Sequence, residues 1–226
     1  MMKRREAMNK KLVASIVMLF CVFLWHVTPG KTQDLKPIPL VKPQMDSGGL
    51  LMHVLRERKS SRDFSDKKLP IRVISNLLWS ACGINRPGAG KRTAPSTMNW
   101  QEIDVYVATT QGLYVYDPRQ HRLDPVLAQD IRGLISTHTF VTDAPLSLIY
   151  VADFARMGGA APESKDFHAA LDTGFIAQNV YLYCASEGLA TVVLGTTLKR
   201  EKLFQVMKLR PDQRIILAQT VGYPRK

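Results

Sequence analysis

The chain has 226 residues, of which 46% are hydrophobic, and it carries a formal net charge of +12. This length and apolar content predict a globular protein with one sizeable core. Residues 1–30 contain five basic residues and one acidic residue, so +8 is left for the rest of the chain, where it is spread rather than blocked. Because neither a basic helix nor an aromatic–basic sheet accompanies that charge, we expect no nucleic-acid partner.

Residues 1–30 are predicted to be an export signal. Lys10 and Lys11 precede an apolar run of 14 residues, LVASIVMLFCVFLW, which Pro29 and Gly30 end. A run of this length suits the core of a signal peptide and is shorter than a membrane-spanning helix. An uncleaved anchor is the alternative, and it would be the protein's sole membrane contact. We therefore expect an exported, periplasmic protein.

Residues 31–49 are predicted to be a linker or N-terminal arm, because three prolines interrupt any periodicity and Ser-Gly-Gly ends the stretch. The folded domain is then expected over residues 50–226. It begins with a helix over 50–58, and helical apolar spacing predicts a second helix between Pro70 and Gly83.

Residues 84–100 are predicted to be a long ordered loop, a feature that is often functional. Its glycines suggest a phosphate-binding loop, but the motif fails. The motif needs a glycine five residues before Gly90, but this chain has Asn85 there. It also needs a serine or threonine after Lys91 to bind magnesium, but this chain has Arg92.

The second half mixes strands and helices. A period of two predicts a β-hairpin over 101–116, and Asp124 before Pro125 predicts a helix over 125–134. A long helix over 164–187 has apolar residues on more than one face, so we expect it to be central and buried. Three further strands are predicted over 146–151, 191–194 and 215–221, and a helix over 200–207. Without regular βαβ alternation, this order indicates an α+β fold.

The segment Arg58–Phe64, RKSSRDF, is the main candidate for a binding site. Two guanidinium groups and two hydroxyls within five residues suit a phosphate dianion, because arginine presents planar donors and stays charged. A solvated basic turn after a helix is the alternative interpretation. Cys82 and Cys184 lie in apolar helical patterns typical of unpaired core residues, and the five histidines are isolated, so we expect no metal.

Four blocks of sequence resemble the FMN-dependent nitroreductase family, in particular its branch related to the azoline-forming, thiazole-oxidase-type dehydrogenases. They are Arg58–Phe64, then Arg92–Asn99 with its Pro-Ser-Thr-Met-Asn core, then the long helix followed by a strand ending at Gly195, and finally Gly222-Tyr223-Pro224. The resemblance implies a nitroreductase-like fold, with a mostly antiparallel central sheet flanked by helices, and an intertwined homodimer with flavin sites at its interface.

The same resemblance implies a set of FMN-binding residues. Arg58, Ser60 and Arg62 would bind the phosphate and ribityl chain, and Arg225, with Lys226, would add positive charge. Pro95, Ser96 and Asn99 would reach the flavin of the neighbouring subunit. Leu194 would lie near flavin N5, and the Gly195 N–H would face it. Ser60 and Asn99 are alternatively turn residues, and Asp172 with Gln178 is expected to be structural.

The function that this implies is an FMN-dependent oxidoreductase acting on a small molecule. Hydride would pass through flavin N5 from NAD(P)H to an electron-poor acceptor such as a nitroaromatic or a quinone. The predicted export and the apolar Leu194, where several relatives have glutamate, leave two alternatives: a flavin-dependent dehydrogenase with a non-nicotinamide partner, and a flavin-binding module without turnover. Because the flavin performs the redox chemistry, we name no catalytic acid or base.

Overall fold

A computed structural model describes residues 35–225, so the predicted export signal and Lys226 lie outside the described residues. A sheet of seven strands forms the centre, and its strands are β1 (Ile38–Pro39), β4 (Ile103–Thr109), β5 (Leu113–Asp117), β6 (Arg122–Leu127), β7 (Leu146–Asp153), β8 (Ala190–Leu194) and β9 (Gln213–Gly222); β2 (Ile84–Arg86) and β3 (Lys91–Arg92) form a separate small sheet. The strand order of the large sheet is β1-β6-β5-β4-β7-β9-β8, and every pair of neighbours is antiparallel. The mostly antiparallel sheet predicted from the sequence is confirmed.

Helices cover both faces of this sheet. Their bounds are α1 (Leu51–Glu57), α2 (Ile71–Cys82), α3 (Arg132–Ile135), α4 (Phe140–Asp143), α5 (Pro162–Ser186) and α6 (Arg200–Val206). Successive side chains of a strand point to opposite faces of the sheet, so the core is divided into two clusters. On β4, Val105 and Val107 join the cluster under α2 and α5, whereas Ala108 joins the cluster under α3, α4 and α6. β7 is buried along its whole length, as its continuous apolar pattern predicts.

The β4–β5 hairpin shows why its turn needs glycine. Gly112 has a φ of +153°, and a Cβ there would lie 2.4 Å from the Leu127 carbonyl oxygen. No side chain fits that space, because real Cβ contacts essentially never fall below 3.0 Å. The alternating pattern and the Gln-Gly turn therefore fix this hairpin, and the prediction over 101–116 is confirmed.

The helix predicted over 125–134 is wrong, because residues 125–127 belong to strand β6, residues 128–131 form neither helix nor strand, and only 132–135 is helical. Asp124-Pro125 has the residues of a helix start, but Pro125 lies opposite Tyr114 in the sheet. On its other side β6 pairs only with the two residues of β1, at Leu123 and Arg122. The missing N–H of Pro125 therefore breaks no pairing with β1, as is usual for proline near a sheet edge.

The long helix, which the sequence predicts to be central and buried, has one exposed side in the single chain. α5 buries one face, which includes Ala169, Ile176 and Val180. Its opposite side leaves Phe167, Leu171 and Phe175 exposed, at spacings of four residues that place them on one stripe. We call this stripe the apolar face of α5.

The arm and the predicted loop are both better ordered than their composition suggests. Within the arm, β1 pairs with β6, and the Gln44 N–H donates to the Asn76 Oδ1. The predicted loop over 84–100 contains a small hairpin of β2 (Ile84–Arg86) and β3 (Lys91–Arg92), plus single helical turns at 87–89 and 97–99. In the part of the chain that the structure describes, no helix is long and apolar enough to cross a membrane.

Candidate functional site

The segment Arg58–Phe64 runs along the free edge of the main sheet. β8 is the last strand of that sheet, so one side of it has no strand partner. The Ser61 N–H donates to the Thr191 carbonyl of β8 at 2.9 Å, and Phe64 forms a bridge with Pro224. Phe64 is fully buried, so it anchors the segment in the core.

Tyr181 of α5 links this segment to β8. Its hydroxyl lies 2.8 Å from the Ser60 Oγ, and it accepts a hydrogen bond from the Val193 N–H at 3.0 Å. The Arg58 guanidinium lies 5.3 Å from the centre of the same ring, in cation–π range. The sequence did not single out Tyr181, because a tyrosine at helical spacing resembles any core residue.

The guanidinium groups of Arg58 and Arg62 have no carboxylate partner within residues 35–225. Other arginines of this chain do: Arg132, for example, pairs with Asp130 at 2.7 Å. Both Arg62 and Ser60 are exposed, and Arg58 is half-buried. The segment therefore presents two unpaired positive charges and a hydroxyl, which is the donor set that a phosphate dianion requires.

Arg225 is placed beside the segment but its donors are already in use. Its guanidinium donates to the Phe64 carbonyl at 2.9 Å and pairs with Asp63 at 3.2 Å and with Asp143 at 3.1 Å. It therefore fastens the C-terminus to the segment in this structure, and its role as a phosphate ligand stays a prediction.

The C-terminus packs tightly where it meets the segment. The Ser65 N–H donates to the Tyr223 carbonyl at 2.9 Å. A Cβ on Gly222 would lie 2.7 Å from the Pro145 Cδ and 3.3 Å from Phe64. Glycine is needed at 222 for this close approach, which gives the terminal Gly-Tyr-Pro block a physical reason.

Leu194 and Gly195 lie at the end of β8, next to the residues that hold the basic segment. Val193, which Tyr181 binds, is two residues from Gly195. The Leu194 side chain is apolar and buried in the core, so it offers no hydrogen bond to a ligand. A Cβ on Gly195 would approach the Leu217 side chain to 3.3 Å, so the glycine keeps backbone accessible where a side chain would crowd it.

The segment Pro95–Asn99 is held elsewhere, against the middle of α5. Asp172 accepts hydrogen bonds from the Thr97 N–H at 2.7 Å and from the Thr97 hydroxyl at 3.3 Å. Ser96 accepts a bond from the Gln101 N–H at 2.9 Å, and Asn99 is exposed with a φ of +57°. Asp172 therefore has the structural role expected of it, whereas Gln178, expected to share that role, is exposed.

One chain brings some predicted site residues together and separates others. Arg58, Ser60, Arg62, Leu194, Gly195 and Arg225 all lie along the β8 edge or on the C-terminal residues packed there. Asp172 and Tyr181 are nine residues apart on α5, roughly 14 Å along its axis. Pro95, Ser96 and Asn99 therefore lie away from the basic segment of their own chain.

Comparison with known proteins decides the family. The sequence profile described as the nitroreductase family matches residues 55–223 of this chain. The chain belongs to the nitroreductase family. A Methanocaldococcus jannaschii protein provisionally named a nitroreductase is 27% identical over 170 residues, which cover 71% of this chain and 85% of that protein.

Solved structures of the family share this fold. A crystal structure of a provisionally named nitroreductase from Ralstonia eutropha JMP134 is 43% identical to this chain, with a TM-score of 0.81. The match covers 87% of this chain and 92% of that one. A chain of the Escherichia coli microcin synthetase complex, 21% identical, has the same fold at a TM-score of 0.65 and covers 87% of this chain and 80% of its own length. This nitroreductase-family chain is therefore an oxidoreductase by family.

Proposed function

We propose that this chain is an FMN-dependent oxidoreductase that binds the flavin phosphate with Arg58, Ser60 and Arg62. The observation that carries the proposal is the course of this segment along β8. Tyr181 bonds to both Ser60 and Val193, so hydrogen bonds connect the basic segment to the end of β8 that leads to Gly195. When bound, FMN supplies a ring nitrogen that accepts and releases hydride.

The roles of the protein groups follow from their positions. Arg58 and Arg62 would supply charge-assisted donors to the phosphate, each worth about 1.5–3 kcal/mol. The ring of Tyr181 orients Arg58, and its hydroxyl orients Ser60. The apolar Leu194 excludes water from the end of β8, while Gly195 leaves backbone donors approachable.

We propose a homodimer as the working form. The apolar face of α5 is exposed in one chain, and Met98, at the tip of the 95–99 segment, is 80% exposed. Large exposed apolar side chains of this kind mark an interaction surface. Within one chain, the Pro95–Asn99 segment lies about 14 Å along α5 from the basic segment. A second copy that covers the apolar face of α5 would bring its own Pro95–Asn99 segment to the basic segment of the first copy. Sedimentation of wild type and of the Phe167→Asp, Phe175→Asp variant tests this, and a monomeric wild type would contradict it.

The electron donor and acceptor complete the proposal. We propose NAD(P)H as donor and a nitroaromatic or quinone as acceptor, with residues 1–30 directing export. Because nicotinamide cofactors are scarce outside the cytoplasm, the alternative is dehydrogenation of another small substrate, as in the azoline-forming branch, and the apolar Leu194 favours it.

Stopped-flow reduction of the FMN-reconstituted protein distinguishes these possibilities. Bleaching of the flavin absorbance by NADH or NADPH, followed by reoxidation by an acceptor faster than by oxygen, supports the nicotinamide-dependent enzyme. Reduction by dithionite alone contradicts that form of the proposal. Reduction by a candidate substrate, without nicotinamide, supports the dehydrogenase.

A further inference from the structure

A buried pair of carboxyl groups lies beneath the 95–99 segment. Glu102, directly before β4, has no exposed surface, and Asp172 of α5 is 1% exposed. The two carboxyl groups lie within hydrogen-bonding reach of each other. Among the described residues, neither oxygen of Glu102 has a hydrogen-bond donor as partner. Two ionised carboxylates this close and this deeply buried would repel each other, which favours one shared proton on the pair.

The surrounding groups decide which carboxyl holds the proton. Asp172 accepts from the Thr97 N–H at one carboxyl oxygen and from the Thr97 hydroxyl at the other, so both of its oxygens already serve as acceptors. His168 reaches the same hydroxyl at 3.1 Å. Glu102 faces Asp172 and the Arg92 guanidinium, whose Nε is buried without a partner among the described residues. Burial, reinforced by Asp172 and opposed by Arg92, raises the pKa of Glu102 to about 7.

We infer that Glu102 is the protonated member of a carboxyl–carboxylate pair, and that it is a positioning residue for the 95–99 segment. Its Oε–H donates to Asp172, which in turn holds Thr97 by two hydrogen bonds. The role in flavin binding rests on the proposed function, in which this segment reaches the partner's flavin.

The segment needs such an anchor because its backbone is strained. Met98, Asn99 and Gln101 have φ values of 49°, 57° and 49°, in the left-handed region that residues other than glycine rarely adopt. Loss of the Glu102 proton places a second negative charge beside Asp172. Repulsion between the two carboxylates then shifts Asp172 away from the position in which it holds Thr97, and FMN affinity falls as pH rises.

Infrared spectra and FMN titrations of the full chain test the inference. Wild type at about pH 6 should show the C=O band of a buried protonated carboxyl, and this band should be lost in Glu102→Gln. Wild-type FMN affinity should weaken roughly tenfold from about pH 6 to pH 9. One coupled proton can change the affinity by at most about tenfold per pH unit above the pKa of Glu102, so this change is within the limit. Glu102→Gln keeps an N–H donor toward Asp172 and should have a flat profile. Glu163→Gln, an exposed site at the start of α5, is the control and should behave as wild type.

The outcomes separate the inference from the flavin site. A wild type without the buried carboxyl band overturns the shared proton, whether or not FMN binds. A Glu102→Gln profile that falls like that of wild type overturns the positioning role. If no FMN binds at any pH, the proposed function and the positioning role both fail, while the infrared band still decides the proton. If Glu102→Gln does not fold, Asp172→Asn replaces it, because the asparagine still offers an acceptor to Thr97. Without the Asp172 charge, the C=O band of protonated Glu102 should be lost at a lower pH than in wild type. Loss of the band at the wild-type pH would contradict the pairing.

Discussion

Tyr181→Phe tests the link between the basic segment and β8. The change removes only the hydroxyl, which bonds Ser60 at 2.8 Å and the Val193 N–H at 3.0 Å, and it leaves the ring beneath Arg58. A hydrogen bond contributes about 0.5–1.5 kcal/mol net, so losing two should lower the free energy of unfolding by about 1–3 kcal/mol. Ser60 and the edge of β8 also lose the hydroxyl group that bonds to both of them.

Urea unfolding and FMN titration measure the two effects. We expect the urea midpoint to fall without a change in the m-value, and FMN affinity to fall roughly tenfold at most. Tyr183→Phe is the control, because its hydroxyl makes one longer bond, 3.3 Å to the Val73 carbonyl on α2. It should lose about 1 kcal/mol or less and keep wild-type FMN affinity. A Tyr181→Phe protein with the midpoint and FMN affinity of wild type would refute the link.

Three further predictions concern packing, pH and the thiols. Gly222→Ala places a Cβ 2.7 Å from Pro145 and should cost about 1–3 kcal/mol in urea unfolding, whereas Gly88→Ala, with open space around it, should not destabilise; equal midpoints would contradict the packing. The pKa of Glu102 is about 7 in the folded protein and about 4.5 in the unfolded chain, so the folded state binds more protons between these pH values. The free energy of unfolding therefore falls as pH rises through this range, by about 3 kcal/mol in total. Glu102→Gln should remove that part of the slope, and an unchanged slope would contradict it. Cys82 and Cys184 are buried free thiols, and burial raises the pKa of Cys82 to about 11, so peptide mapping should find both unlabelled by a thiol reagent until the protein unfolds.

Local patterns predict most of this fold because its elements obey their own periodicity. The β4–β5 hairpin, the buried β7 and helix α2 combine clear spacing with glycine or proline at their ends. β6 is missed because the same Asp-Pro pair suits a helix start and a strand near the sheet edge. The distinction depends on a partner, β1, more than 80 residues earlier in the chain.

The candidate site is predictable where chemistry is concentrated in a short segment. Arg58–Phe64 stands out because two arginines and two serines lie within five residues. Tyr181 and Glu102 are missed for a different reason, because each acquires its role from groups distant in sequence. Tyr181 and Ser60 are 121 residues apart in sequence, and Glu102 and Asp172 are 70 residues apart, with strands β4 to β7 between them.

The apolar face of α5 shows a third limit. The sequence indicates that apolar residues lie on more than one face of the helix, which favours a central, buried position. Phe167 and Phe175 are nevertheless exposed in one chain. The same pattern fits a helix buried within its own chain and a helix covered by a second copy, so sequence periodicity cannot distinguish the two.

The central claim is that the unpaired arginines bind the FMN phosphate, and comparing FMN with riboflavin tests it directly. Riboflavin lacks only the phosphate, so the ratio of the two affinities isolates that contact. Wild type should prefer FMN by about 100-fold or more, since two charge-assisted contacts contribute about 3 kcal/mol or more. Arg58→Ala with Arg62→Ala should abolish the preference. Arg56→Ala, which removes an exposed arginine that pairs with Glu57, should keep it. Equal wild-type affinity for the two flavins, or an unchanged preference in the double variant, would contradict the account.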